Sequence, residues 1–324
     1  MLLIRRGFSL VNYLITGGAG FIGSNLAAEV VKRGGKVSLV DDLSMGKEEN
    51  IIHLNKKRVT FYKKSITDHD FMTNLLIKEH FDYIILLGAV ASVANSVRMP
   101  YETHEVNQEA NINILETIRK FGLNVKKLLF ASSAAVYGNN PQQPKKEGSA
   151  IEPGTPYAID KFASERYALT YGELYQIPTV ATRFFNVYGP RQNPDSPYSG
   201  VLSIIFDCLE NNKQFKLFGD GSQTRDFTYV KDVVNAVLLL LYDSKAVNSV
   251  YNVATGKSVS LKEVIATFEK ILNKQLEIEY LPERIGDVKH SSANISRLMA
   301  MGFRPDYDIV AGLNLYINAG VAGI

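Results

Sequence analysis

Cysteine is nearly absent from this chain: Cys208 is the only one in 324 residues. One thiol excludes an internal disulfide framework and any metal site built from several cysteines, and it fits a reducing compartment. In VLSIIFDCLE, with apolar neighbours on a helical pattern, Cys208 reads as core packing rather than a nucleophile. Histidine is also scarce. The five, at 53, 69, 80, 104 and 290, form no helix-spaced pair and no Cys/His cluster, so no metal is expected and they read as surface residues. No apolar run approaches the roughly 18 residues of a membrane helix, so no membrane association is expected. A strong charge is missing as well. The 36 basic and 33 acidic residues leave +3, and the basic side chains are scattered rather than striped, so nucleic acid is not an expected partner.

What is present is ordinary for a soluble enzyme: 46% hydrophobic and 21% charged residues, in a chain long enough for a main domain with a second lobe. In MLLIRRGFSL (1–10), Arg5 and Arg6 interrupt the apolar run and a strand follows at once, leaving no room for a cleavage site. The segment reads as a short extension, with a cytoplasmic location as the default. Apolar, β-rich runs then alternate with helical patterns: VNYLIT (11–16), KVSLVD (36–41), RVTFYK (58–63), YIILLG (83–88), KKLLFASS (126–133) and TVATRFF (179–185). Strands of this kind, separated by helices, require a parallel sheet covered on both faces, which predicts a Rossmann-like, doubly wound α/β fold. After Asn186 the rhythm breaks into a polar loop, GPRQNPDSPYSG (189–200), and shorter elements. The expected division is a nucleotide-binding domain over 1–186 and a smaller ligand-binding lobe over 187–324, with the chain returning to the first domain near 226–256.

Gly17, Gly20 and Gly23 follow the first strand and open a helix, where glycines permit a tight turn, close approach of the backbone to a pyrophosphate, and close helix packing. A bare glycine triplet makes a turn in many α/β proteins. Here Asp41 ends the second strand, about where an acid that binds the adenosine ribose belongs. A carboxylate there accepts from ribose hydroxyls and repels a 2′-phosphate, which favours NAD over NADP. Asp42 is either a second contact or a solvated acid.

Tyr157 and Lys161 lie four residues apart in a helical stretch, so the phenol and the ammonium share one face. Alone, this spacing fits an amphipathic helix with an ordinary tyrosine and lysine just as well. Ser133, ending the strand at 126–133, lies where α/β sites collect, and its hydroxyl could orient a substrate hydroxyl for proton removal by the tyrosine.

With these come VASV (90–93), Asn107 in EVNQ, SSAAVYG (132–138), RFFNVYGPRQ (183–192), LFGDGSQTRDFTYVKDV (217–233), NVATGKSVSL (252–261) and ERIGDVKHSSANIS (283–296). In this order the motifs resemble the extended short-chain dehydrogenase/reductase family, and within it the UDP-hexose 4-epimerases, over nearly the whole chain. The resemblance implies catalysis by Ser133, Tyr157 and Lys161. It implies NAD contacts from Gly17, Gly20, Phe21, Ile22 and Gly23, and from Asp41, Asp42, Leu43, Ser44 and Gly46. Ser65, Ile66, Leu87, Gly88, Ala89 and Val90 would continue the cofactor site, with Asn107, Ser132, Phe184 and Val187. For the UDP-sugar it implies Ser92, Ser133, Asn186, Val201 and Leu202, then Lys216 and Phe218. Arg225 and Arg284 would clamp the diphosphate and Asp287 the uridine ribose; without the family pattern both arginines would read as surface ion-pair residues. A homodimer through ANINILETIRKF and FASERYALTYGELY is implied as well.

Within the family, dehydratases carry an acidic pair after the catalytic serine or threonine, and decarboxylases usually a glutamate. This chain has Ala134 and Ala135, which leaves oxidation and re-reduction at C4, hence epimerisation. Ser291 falls at the position that gates the sugar C2 substituent, and its small size predicts that N-acetylated sugars are admitted. Two departures stand out. Ser65 replaces the usual aspartate at the adenine amino group, and Val90 replaces a polar or basic residue near the phosphates. An epimerase or reductase acting on a GDP- or dTDP-sugar, and a catalytically silent NAD-binding regulator, are the rival readings; the intact Ser133, Tyr157 and Lys161 argue against the second.

Overall fold

The computed structural model describes residues 10–192, 200–283 and 289–321. Every apolar run of the first half forms a strand: β1 (Asn12–Thr16), β2 (Lys36–Asp41), β3 (Val59–Lys63), β4 (Tyr83–Leu86), β5 (Lys127–Ser133) and β6 (Thr179–Phe184). Among them run α1 (Phe21–Lys32), α2 (His69–Glu79), α3 (Val93–Arg98), α4 (Pro100–His104), α5 (Ala110–Lys120) and α6 (Pro156–Tyr175). The second half contributes β7 (Asn186–Tyr188), α7 (Val201–Asn211), β8 (Phe215–Phe218), β9 (Thr224–Arg225), β10 (Phe227–Tyr229), α8 (Val230–Tyr242) and β11 (Ser249–Val253). Last come β12 (Val259–Ser260), α9 (Leu261–Leu272), β13 (Ile278–Leu281), α10 (Ser296–Ala300) and α11 (Ile309–Val321).

Seven strands form one parallel sheet in the order β11–β6–β5–β4–β1–β2–β3, the doubly wound α/β fold anticipated from the sequence. One face is packed by α1 and α8 through Leu26, Val30, Val233, Val237 and Leu241; the other by α2, α5 and α6 through Leu76, Ile114, Ile118 and Ala168. Burying each large apolar side chain of this kind contributes about 1.5–3 kcal/mol. A separate core gathers around α7, α9 and α11, with Leu202, Ile205, Val264, Phe268, Leu313 and Tyr316, and Cys208 sits in it as packing. Among the described residues no helix is long and apolar enough to cross a membrane.

The strand order reverses between β1 and β4. In such sheets a crevice opens at the carboxyl ends of the strands at this point. Thr16, Asp41, Leu86, Ser133 and Phe184 are each the last residue of a strand, so the topology gathers most of the candidate site at one edge.

Candidate functional site

The turn from β1 into α1 is shaped to bring backbone close to a ligand. Gly17 has φ +67°, and a Cβ there would lie 2.9 Å from Gly88 N; one on Gly23 would lie 2.1 Å from Gly17 O. Gly20 caps α1 in an extended conformation with no side chain on the first-turn N–H groups, which Phe21, Ile22 and Gly23 therefore present at a helix N-terminus. Gly88 N and Leu87 N both donate to Thr16 Oγ1, at 3.0 and 3.1 Å, and this ends β4 at Leu86, two residues before its apolar run stops. Ile66 reaches Gly88 from the neighbouring loop.

Asp41 is nearly buried. Its carboxylate accepts from Ala19 N (3.0 Å) and Leu43 N (2.9 Å), and Gly46 lies against it. Burial pushes its pKa up while the backbone donors pull it down. Each oxygen keeps a lone pair, so ribose hydroxyls could still be accepted. Asp42 is exposed and turned back on Ser44 N. Ser65 is half-buried, its hydroxyl engaged with Thr67. Asn107 is fully buried and grips Val90 through both its amide nitrogen and its oxygen, holding the 87–92 loop, in which Ala89 is half-buried. It stands in a π-helical turn, 105–109, a distortion common at functional sites.

Ser133 Oγ accepts from Ala135 N at 3.2 Å, starting the tight turn that contains Ala134 and Ala135; among the described residues the Oγ of buried Ser132 has no hydrogen-bond partner. Thr155 caps α6 and Pro156 opens it, placing Tyr157 and Lys161 in its first turns, 9% and 4% exposed. Lys161 Nζ donates to Ala131 O at 2.9 Å and lies 6.0 Å from the Tyr157 ring centre. Burial raises the Tyr157 pKa and a hydrogen bond with Ser133 opposes the rise. Burial lowers that of Lys161 to about 8, with Asp160 opposing. The phenol thus stays protonated unless further positive charge enters the site, as an oxidised nicotinamide would bring.

Behind this pair the sequence reading needs correction at one histidine. His104 is not a plain surface residue: its Nδ1 lies 2.9 Å from Oδ1 of buried Asp160, next to Lys161. Thr16, the Ala131 carbonyl and the His104–Asp160 pair were all missed. A strand-ending threonine, a main-chain oxygen and a contact spanning 56 residues leave no local pattern to find.

On the sugar side, Ser92 is buried as the cap of α3, and Asn186 opens β7 with its amide 3.4 Å from Asp226 O. Phe184 and Val187 are half-buried beside the sheet core. Val201 and Leu202 start α7, but the Leu202 side chain is turned into the second core, leaving its backbone for contacts. Lys216 and Phe218 share one face of β8. Arg225 reaches Lys289 O at 3.3 Å, so it and Ser291 lie on adjoining segments, where Ser291 N donates to Thr224 O. Arg284 and Asp287 lie outside the described residues. Among the described residues no group of acidic, histidine or cysteine side chains could hold a metal.

Residues 13–254 match the model of the NAD dependent epimerase/dehydratase family, and the chain belongs to that family. A putative UDP-glucose 4-epimerase of Methanocaldococcus jannaschii is 35% identical over 94% of this chain and 97% of its own length. The UDP-glucose 4-epimerase of Thermus thermophilus, solved with NAD, superposes with a TM-score of 0.88 at 33% identity, covering 97% of this chain and 100% of the other. The UDP-N-acetylglucosamine 4-epimerase of Methanobrevibacter ruminantium, solved with UDP-N-acetylmuramic acid, gives 0.91 at 36% identity, covering 98% and 100%. NAD is the cofactor, and the cradle around Gly17 and Gly23, the open N-terminus of α1 and Asp41 fit it.

Proposed function

We propose that the protein is a UDP-hexose 4-epimerase, interconverting UDP-glucose and UDP-galactose and, given Ser291 at the C2 gate, UDP-N-acetylglucosamine and UDP-N-acetylgalactosamine. The observation that carries this reading is the Ser133–Ala134–Ala135 turn beside buried Tyr157: one proton acceptor is present, and no acid stands where elimination or decarboxylation would need it.

The Tyr157 phenolate takes the proton of the C4 hydroxyl while Ser133 orients that hydroxyl. Lys161, anchored on Ala131, favours the phenolate by its charge. NAD, when bound, supplies the acceptor and donor of the C4 hydride. Once the 4-keto sugar has turned its other face toward the nicotinamide side, Tyr157 returns the proton to the C4 oxygen, and the hydrogen restored at C4 stands on the opposite face of the ring. Arg225, with Arg284 and Asp287, would hold the nucleotide end. Loop 87–92, with Asn107 behind it, shapes the nicotinamide side.

The protein purified without added cofactor should contain NAD and convert UDP-galactose and UDP-N-acetylgalactosamine to their 4-epimers; failure to convert either refutes the reading. Ile159, Tyr167, Leu174 and Tyr175 leave apolar surface exposed on α6, in keeping with a homodimer through α5 and α6. Sedimentation at twice the chain mass of 36.0 kDa is the expected result.

A further inference from the structure

We propose that Gln143 is a specificity-determining residue, which holds the backbone at Ser291 in place and so keeps open the space beside the sugar C2 position. The inference rests on the reading of Ser291 as the gate.

Gln143 belongs to the loop between Ser133 and Tyr157, yet among the described residues its side-chain bonds go to the segment on either side of Ser291. Its Nε2 donates to His290 O at 2.7 Å. Its Oε1 accepts from Ser292 N at 3.0 Å and from Ser292 Oγ at 3.1 Å. The residue before the gate and the residue after it are therefore held by one amide plane. Only a side chain with a donor and an acceptor in that plane can do this; glutamate offers acceptors alone, and alanine neither.

The main chain continues the clamp. Lys145 N donates to Ser292 O at 2.9 Å, and Asn294 N to Lys145 O at 2.8 Å. Ala293 and Ile295 are buried against Val136 and Tyr137, in the turn that follows Ser133. The gate segment is thus mounted on the same stretch of chain as the catalytic serine. Without Gln143, the main-chain ties of Lys289 and Ser291 to Thr224 and of Ser292 to Lys145 remain, but the amide bracket on His290 O and Ser292 is gone, and Ser291 can shift toward the C2 space. An acetamido group needs that space and a hydroxyl does not.

The experiment compares kcat/KM for UDP-N-acetylgalactosamine with that for UDP-galactose in the wild type, Gln143→Ala, Gln143→Glu and Ser291→Tyr. The same ratio is read from dissociation constants by calorimetry. Gln143 is exposed, so its variants should fold, and circular dichroism checks this. Gln143→Ala should lower the N-acetyl preference by about five-fold, on the scale of one ordinary hydrogen bond, through KM rather than kcat, with Gln143→Glu in between. Ser291→Tyr should lower it further. If Ser291→Tyr shifts the ratio and Gln143→Ala leaves it within two-fold, the clamp is refuted and the gate stands. If Ser291→Tyr leaves the ratio unmoved, the gate reading fails and this inference goes with it.

Discussion

Lys161 Nζ and the carbonyl oxygen of Ala131 meet at 2.9 Å, joining the helix that carries Tyr157 to the strand that carries Ser133. The bond takes an ammonium hydrogen into a buried site and leaves the charge under the Tyr157 ring. Both the phenol and the ammonium can be tested by substitution, and so can two buried charges elsewhere in the fold.

Tyr157→Phe removes the phenol and leaves the cradle around Gly17 untouched. Bound NAD should be retained on purification, while kcat for UDP-galactose falls by roughly 10²–10⁴-fold, the range for losing a general acid/base. Retained turnover would refute its assignment.

Since Lys161 is held near pKa 8 in the free protein, kcat/KM should fall as pH rises through about 8, as the ammonium that favours the phenolate is lost. Asp160→Asn removes the carboxylate that favours the charged lysine, and should move this limb to lower pH. A pH–rate profile of both proteins decides it; an unmoved limb would show that Asp160 is electrostatically silent.

Arg183 and Glu165 form a bidentate pair, 2.6 and 2.9 Å, with side chains 3% and 1% exposed. Arg183 also donates to the Tyr137 hydroxyl and Glu147 O, bracing the turn after Ser133. Glu165→Ala leaves a buried guanidinium unpaired and should cost about 3–5 kcal/mol in denaturant unfolding.

Asp232, buried under the chain at 306–307, accepts from Asp306 N and Tyr307 N, and burial lifts its pKa to about 6. The folded state therefore binds this proton more tightly than the unfolded chain does. Between about pH 4 and 6 this group should make stability fall as pH rises, and above that its contribution stays unfavourable. In Asp232→Asn that component of the Tm-against-pH curve should vanish.

The sheet and the cofactor end were legible because strands buried on both faces read as unbroken apolar runs and the glycine spacing records a steric need. Asp41 stood out by its distance from Gly23, as a candidate for the ribose; that Ala19 and Leu43 already donate to it was not visible, since main-chain donors carry no residue identity. His104 looked like a surface residue because its partner lies in another helix. Leu202 was picked by motif position, and only the fold reveals that its side chain faces inward.

β11 forms one edge of the sheet, beside β6, and the chain reaches it only after building α7 and the short strands that follow β6. During synthesis the bonding edge of β6 must therefore wait, uncovered, until residues 249–253 leave the ribosome. A truncation or stalled chain ending before Ser249 would present that open edge to its neighbours, so such fragments should aggregate rather than persist as a free nucleotide-binding half.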